Sequence, residues 1–438
     1  MAALISGDRL RFVLSRLRER LWLKPFVVCL LSIACVFAAK IADSNALLIQ
    51  VLPSITAKSL DTLLSIMASS MLVIATFSVT SMVSAYSSAA NTATPRSFTL
   101  IIADDASQNA LSTFVGAFIF SIVALTAVKN GYFERAGLLL LFCLTAVVFS
   151  IVIITFVRWV DSIARLGRMG STINKVEAAT AKALKRRRDA PTLQGGRMQS
   201  PARGQPVFAV NTGYVQHIDM AMLQKWAEEA QVGVVVAALP GTLVGPGRPV
   251  AYVSSSPDHP DDMDFTCVID AFHLGVDRLF DDDPRFGLVV LSEIAGRALS
   301  PAVNDPGTAI AIVGAFLRLF TQWSEPVTKG SQQSPKYERI EVPEISIQDM
   351  FDDAFTAIAR DGAGVVEVSV RLQKALHSLA TIDDLEMRNA AGYHAQLALK
   401  RARLALNVEE DIAVVQAAAQ FSQDIVSSKN YSPLNYKQ

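Results

Sequence analysis

Hydrophobic positions divide the chain into two unlike parts. Residues 26–160 are apolar over long stretches, whereas residues 161–438 interleave charged and apolar positions as a water-soluble protein does. The first part predicts four transmembrane helices: Pro25 to Ile41, Asp61 to Ala90, Leu111 to Val128 and Ala136 to Val157. A span needs roughly 20 apolar residues, so the first is short and the second is longer than required. The apolar piece Ala46–Leu52, closed by Pro53, is too short to cross and suits the interface.

The second span carries an unusual load of hydroxyls. Ser65, Ser69, Thr76, Thr80, Ser84, Ser87 and Asn91 recur at steps of three or four, with Leu72 or Val73 filling the one gap. On a helix that spacing gathers them on one face. A small polar stripe in a membrane helix either packs closely against a neighbour or faces water and lines a pore. Ser112, Gly116 and Ser121 on the third span offer small residues for such packing. Arg96, Asp104, Asp105 and Gln108, between the second and third spans, are candidates for a charged pore mouth or for an ordinary interfacial turn.

Basic residues set the orientation. Residues 1–24 form an amphipathic start with Arg9, Arg11, Arg16, Arg18, Arg20 and Lys24, too basic and lacking the cleavage site of a signal peptide. A second basic run follows the fourth span, through Arg186, Arg187 and Arg188. With four spans both lie on one side, the cytoplasmic side by the positive-inside rule. Both termini are then expected on the cytoplasmic side of a membrane.

The polar part reads as a helical extension with a basic, Gly/Pro-bearing linker (161–206), a small mixed α/β module (207–253), a helical region (266–322) and a C-terminal helical subdomain (347–425). Residues 324–346 read as a further linker, and Cys267 to Phe280 as helix. The fold class expected is thus a membrane α-helical part of residues 25–160 plus an α/β module and a helical C-terminal region.

Composition narrows the chemistry. Charged residues are 18% of the chain, below the quarter usual in soluble proteins, and net charge is zero, which gives no reason to expect nucleic acid as a partner. Cys29, Cys35, Cys143 and Cys267 have no metal-ligand spacing, and five scattered histidines form no HExxH. There is no P-loop, GxGxxG or GxSxG. No catalytic residue, metal or cofactor is indicated, and an enzyme ranks third among the readings. The acidic run Asp281, Asp282 and Asp283 lacks the oxygen spacing of a cation loop and reads as a solvated helix start.

The most distinctive polar segment is RALSPAVNDPGTA, residues 297–309. Asp305 before Pro306 is N-cap chemistry, a carboxylate accepting orphan amide protons ahead of a proline that has none to give. The segment therefore reads as a helix–helix corner, with Arg297, Ser300, Asn304 and Asp305 as candidates for binding an ion or partner.

These residues carry a resemblance. LWLKP at 21–25, Thr94-Pro95-Arg96, the DDxxQxxLxxF run from Asp104 to Phe114, GYVQHID at 213–219, Pro240-Gly241 and above all 297–309 resemble the bacterial predicted membrane proteins grouped as domain of unknown function 2254. The likeness covers roughly the first three quarters of the chain and stops near residue 325. Ser112 stands where glycine is expected and Gly307 where a bulkier residue is commoner. The resemblance implies a multi-span membrane anchor with a cytoplasmic domain and brings no assigned activity. Two readings follow. One is an oligomeric ion or small-solute channel in the lipid bilayer, a homo-oligomer gated by its cytoplasmic domain. The other is a non-catalytic membrane-anchored scaffold or sensor that binds a cytoplasmic protein partner.

Overall fold

The structure is a computed structural model, and it describes residues 22–44, 55–92, 94–97, 100, 105–165, 169–198, 204–254, 263–326 and 334–423. The chain divides into two units, which meet between Thr172 and Ile173.

The apolar unit consists of α1 (Leu23–Ala38), α2 (Ala57–Thr92), α3 (Asp105–Lys129) and α4 (Arg135–Arg165). α3 is central and packs against the other three. Its buried Phe114, Phe120, Ala117 and Ala124 meet Leu60, Leu64, Met67 and Met71 of α2 and Val36 of α1 in one core. Gly116 admits α1, since a Cβ there would stand 2.4 Å from Val28 Cγ1. A short 3₁₀ turn, Ala39–Ser44, ends α1. Its Asp43 accepts hydrogen bonds from the Glu134 and Gly137 amides at 3.0 and 2.6 Å, capping α4 from another part of the chain.

Among the described residues, three helices are long and apolar enough to cross a membrane, within Ala57–Ser87, Ser107–Lys129 and Arg135–Ile163. Of the four spans expected, the first, read as short from the sequence, is not confirmed: α1 has 16 residues, about 24 Å at 1.5 Å per residue. The segments 1–21 and 45–54, expected to be amphipathic and interfacial, lie outside the described residues.

The second unit opens with α5 (Met169–Asp189) and holds two sheets. β1 (Gly195–Arg197), β2 (Gln205–Phe208), β4 (Gly233–Val236), β6 (Pro249–Ser254) and β8 (Tyr337–Val342) form a five-stranded sheet in the order β1-β8-β4-β6-β2. β3 (Gly213–Ile218), β5 (Leu243–Val244) and β7 (Phe272–Gly275) form an antiparallel sheet in the order β5-β3-β7. α6 (Met220–Glu229), N-capped by Asp219 through the Met222 amide, packs on β8. The inward valines of β4 and β6, with Ile340, Val342, Leu223 and Ala227, close the sheet core.

Beyond β7, α7 (Thr266–Ala271) having preceded it, come α8 (Pro284–Ala298), α9 (Pro306–Trp323), α10 (Ile347–Asp361), α11 (Val366–Ala380), α12 (Leu385–Ala405) and α13 (Glu409–Ala418). α9 and α10 interlock through Phe316, Phe320, Phe351 and Phe355, whose ring centroids lie 4.6–5.6 Å apart. Each such pair adds about 0.5–1.5 kcal/mol to the area buried.

Three expectations are corrected here. The linkers at 185–206 and 324–346 each contribute strands, β1 and β2 to one and β8 to the other, because β8 buries Tyr337, Ile340 and Val342 on alternate positions between β1 and β4. The helix expected over Cys267 to Phe280 stops at Ala271, where Phe272 to Gly275 pair with β3 instead. The mixed module is therefore not closed at residue 253.

Candidate functional site

The stripe on α2 points away from its own bundle. Ser69, Thr76, Thr80, Ser84 and Ser87 are exposed and Ser65 half-exposed, while Leu60, Leu64, Met67, Met71, Ala75, Ser78 and Met82 are buried. At about 100° per residue, Ser69, Thr76 and Ser87 fall on one line and Leu60, Met67 and Ser78 on the opposite one. Among the described residues, α3 packs on the face of α2 opposite the stripe. Val73 and Val83, 68% and 60% exposed, stand among the hydroxyls. Ser69, Thr76 and Thr80 donate to the carbonyls of Ser65, Leu72 and Thr76 at 2.8–3.1 Å, so the helix itself satisfies their donors and leaves oxygen lone pairs outward.

The remaining membrane-side candidates separate. Ser112 and Ser121 of α3 are buried and bond the carbonyls of Gln108 and Ala117. Gln108 is 2% exposed, inside the bundle rather than at an open mouth. Arg96 is exposed on the turn Pro95–Ser97 and has an interaction partner. Asp105 begins α3; its side chain, that of Asn91 and the whole of Asp104 lie outside the described residues.

The segment 297–309 is the helix–helix corner expected. Asp305 caps α9 by accepting from the Thr308 amide and hydroxyl at 3.1 and 2.6 Å. Those bonds, the hydroxyl's foremost, hold its carboxyl below the usual aspartate range. Ser300 donates to the Arg297 carbonyl, and the Asn304 amide, at φ 48°, returns to Ser300. Arg297 is exposed and has a partner of its own.

The acidic run is a correction, because two of its three carboxylates are taken out of solvent. Asp283 is 3% exposed, caps α8 through the Phe286 amide at 3.1 Å and holds Arg278 by two bonds of 2.6 and 3.0 Å. Burial pushes its carboxyl above the ordinary value despite Arg278. Gly241, at φ 93°, makes room for it, since a Cβ there would lie 2.2 Å from Asp283 Oδ2. Asp282 bonds His217 Nδ1 at 2.7 Å and Arg186 at 2.8 Å, and His217 stacks on His273 across β3 and β7. Beside them Arg187 is buried, which lowers its guanidinium pKa to about 10, while the charges of Asp282 and Asp283 pull it partly back. Among the described residues no group of three His, Cys, Asp or Glu side chains is placed to hold a metal.

This network has a pH signature. Burial raises the Asp282 carboxyl, but His217 and Arg186 together outweigh it, and the pKa ends below the usual aspartate value. A depressed acid contributes stability above its unfolded pKa, about 3.9, and loses it as pH falls through the folded value. Asp283, raised, works in the opposite sense. Asp282→Asn is accordingly expected to flatten the fall of Tm below about pH 4, measured by thermal unfolding across pH. An unchanged acid limb refutes the role.

Three long apolar helices and a polar sheet-and-helix unit define a membrane-associated protein. The chain belongs to the predicted membrane protein family DUF2254, whose profile matches residues 18–378 and so continues past residue 325, where the sequence likeness stopped. Uncharacterized protein Rv1290c of Mycobacterium tuberculosis and uncharacterized protein Mb1321c of Mycobacterium bovis are each 33% identical over 117 residues, 26% of this chain and 22% of theirs. The chain thus spans about a fifth of the length of these curated relatives. No solved structure matches it.

Proposed function

We propose that the protein is an oligomeric channel for ions or small solutes, in which α2 helices of several copies turn their hydroxyl faces to a shared water path. The observation carrying this reading is the exposed stripe of Ser69, Thr76, Thr80, Ser84 and Ser87 opposite the face that α3 buries. Oxygen lone pairs along one side of a long helix suit the passage of hydrated solutes. α2 has 36 residues, about 54 Å of helix, and overreaches a hydrocarbon core of roughly 30 Å.

In this reading α1 is the fourth span. Its helix and the 3₁₀ turn of six residues together rise about 36 Å. The basic residues flanking α1 and α4 support a topology with both termini in the cytoplasm of a bacterium, at its inner membrane, with the sheet-and-helix unit as the gate. The scaffold alternative rests on the motif of Arg297, Ser300, Asn304 and Asp305, yet Ser300 and Asp305 are engaged in holding the turn.

The test is flux through reconstituted vesicles combined with cysteine scanning in a background lacking Cys29, Cys35, Cys143 and Cys267. Cysteines at Ser69, Thr76 and Thr80 are expected to react with a membrane-impermeant thiol reagent and to reduce flux when modified. A cysteine at Ile154 of α4 is expected to do neither. Absence of flux together with unreactive stripe positions sinks the proposal.

A further inference from the structure

Three parallel strands end together at one end of the larger sheet. β1, β8 and β4 run in the same direction, and Met198, Pro343 and Ala237 are the residues at which each leaves the sheet. β6 runs the other way and enters beside them at Pro249. Those four residues, with Arg248 and Tyr252, line a cavity of about 410 Å³, within the range of small-molecule sites. The carboxyl ends of parallel strands are where open α/β sheets ordinarily hold ligands, and the chemistry of the wall decides what fits this one.

The backbone of the wall has little to offer. The Met198, Ala237 and Arg248 amides donate to the Val342, Val250 and Gly245 carbonyls, and the two prolines have no amide proton. Recognition of a polar group therefore falls to side chains. Arg248 is exposed and Tyr252 half-buried, and among the described residues neither side chain is engaged in a hydrogen bond or ion pair. Among the described residues Arg248 is also the one charged member of the wall. Glu341, an acid of the same sheet, stands beyond Val235, two strands from Tyr252. An arginine fork matches a carboxylate or phosphate, while the Tyr252 ring and the prolines offer flat apolar surface.

We propose that this cavity binds a small soluble aromatic anion, its single carboxylate or phosphate set on Arg248 and its ring against Tyr252, Pro249 and Pro343. The site lies wholly in the sheet-and-helix unit and stands apart from the channel reading.

Isothermal titration calorimetry of the full chain in detergent, at fixed ionic strength, with benzoate and with phenyl phosphate tests it. Saturable binding of at least one is expected, about tenfold tighter than acetate or inorganic phosphate, which lack the ring. Arg248→Gln is expected to keep the wild-type Tm, because the side chain is exposed and holds nothing in place, and to weaken binding about tenfold or more. Arg248→Lys, which keeps the charge and loses the fork, gives a second reading of the same loss. Arg197→Gln alters an arginine of β1 that is held by Glu344 at 2.8 Å and is not part of the wall, and is expected to bind as the wild type does. No saturable binding by the wild type, equal binding by both Arg248 variants, or an equal loss in the Arg197 variant overturns the proposal. So does saturable binding of dihexanoyl phosphatidylglycerol with neither aromatic probe bound, which assigns Arg248 to a lipid headgroup instead.

Discussion

Asp283→Ala is expected to lower the stability of the sheet-and-helix unit by about 3–5 kcal/mol, the loss typical of breaking a buried ion pair from one side. Alanine leaves Arg278, whose side chain is 20% exposed, without its carboxylate. It also removes the cap of α8, worth about 1 kcal/mol by itself, and leaves a hollow beside Gly241, which lacks a Cβ where the carboxylate sits. Asp283→Asn, which keeps the cap and the shape, is expected to lose less. Urea unfolding followed by circular dichroism measures both, and a loss below about 1 kcal/mol for the alanine variant would mean that the pair is structurally idle.

Thr76→Asp and Ile154→Asp are expected to part company. Both positions lie near the middle of long apolar helices, and both are exposed within the chain. A carboxylate facing lipid there costs about 2.5–3.5 kcal/mol of insertion, so Ile154→Asp should accumulate poorly in membranes. If α2 lines water, Thr76→Asp pays no such penalty and instead adds a ring of negative charge that favours cations over anions. Membrane yield and the reversal potential of reconstituted protein read the two effects. Equal loss of yield in both variants would place the stripe against lipid.

What the sequence made legible was what is local. The stripe on α2 follows from steps of three and four alone, and the Asp305-Pro306 corner from two adjacent residues whose chemistry admits little else. What escaped depends on partners far along the chain. β8 reads as linker because Ile340 acquires its strand role only opposite Val234. Phe272, His273 and Leu274 continue an apolar helical run until β3 supplies hydrogen bonds across the sheet. Asp282 and Asp283 look solvated in sequence, since Arg186 is nearly a hundred residues away and Arg278 only reaches back once the loop is folded. His217 and His273 form a stacked pair that no spacing rule discloses.

Asp43 has a mechanical meaning. Its carboxylate is clamped to the first amides of α4 and to Lys40 at 3.3 Å, and Gly137 lets it come that close, a Cβ there falling 2.7 Å from Oδ2. With α1 also seated in the notch at Gly116, α1 is tied to both α3 and α4, like a frame pinned at its corner. α2 joins them chiefly through its seam with α3, where Leu60, Leu64, Met67 and Met71 meet Phe114 and Phe120.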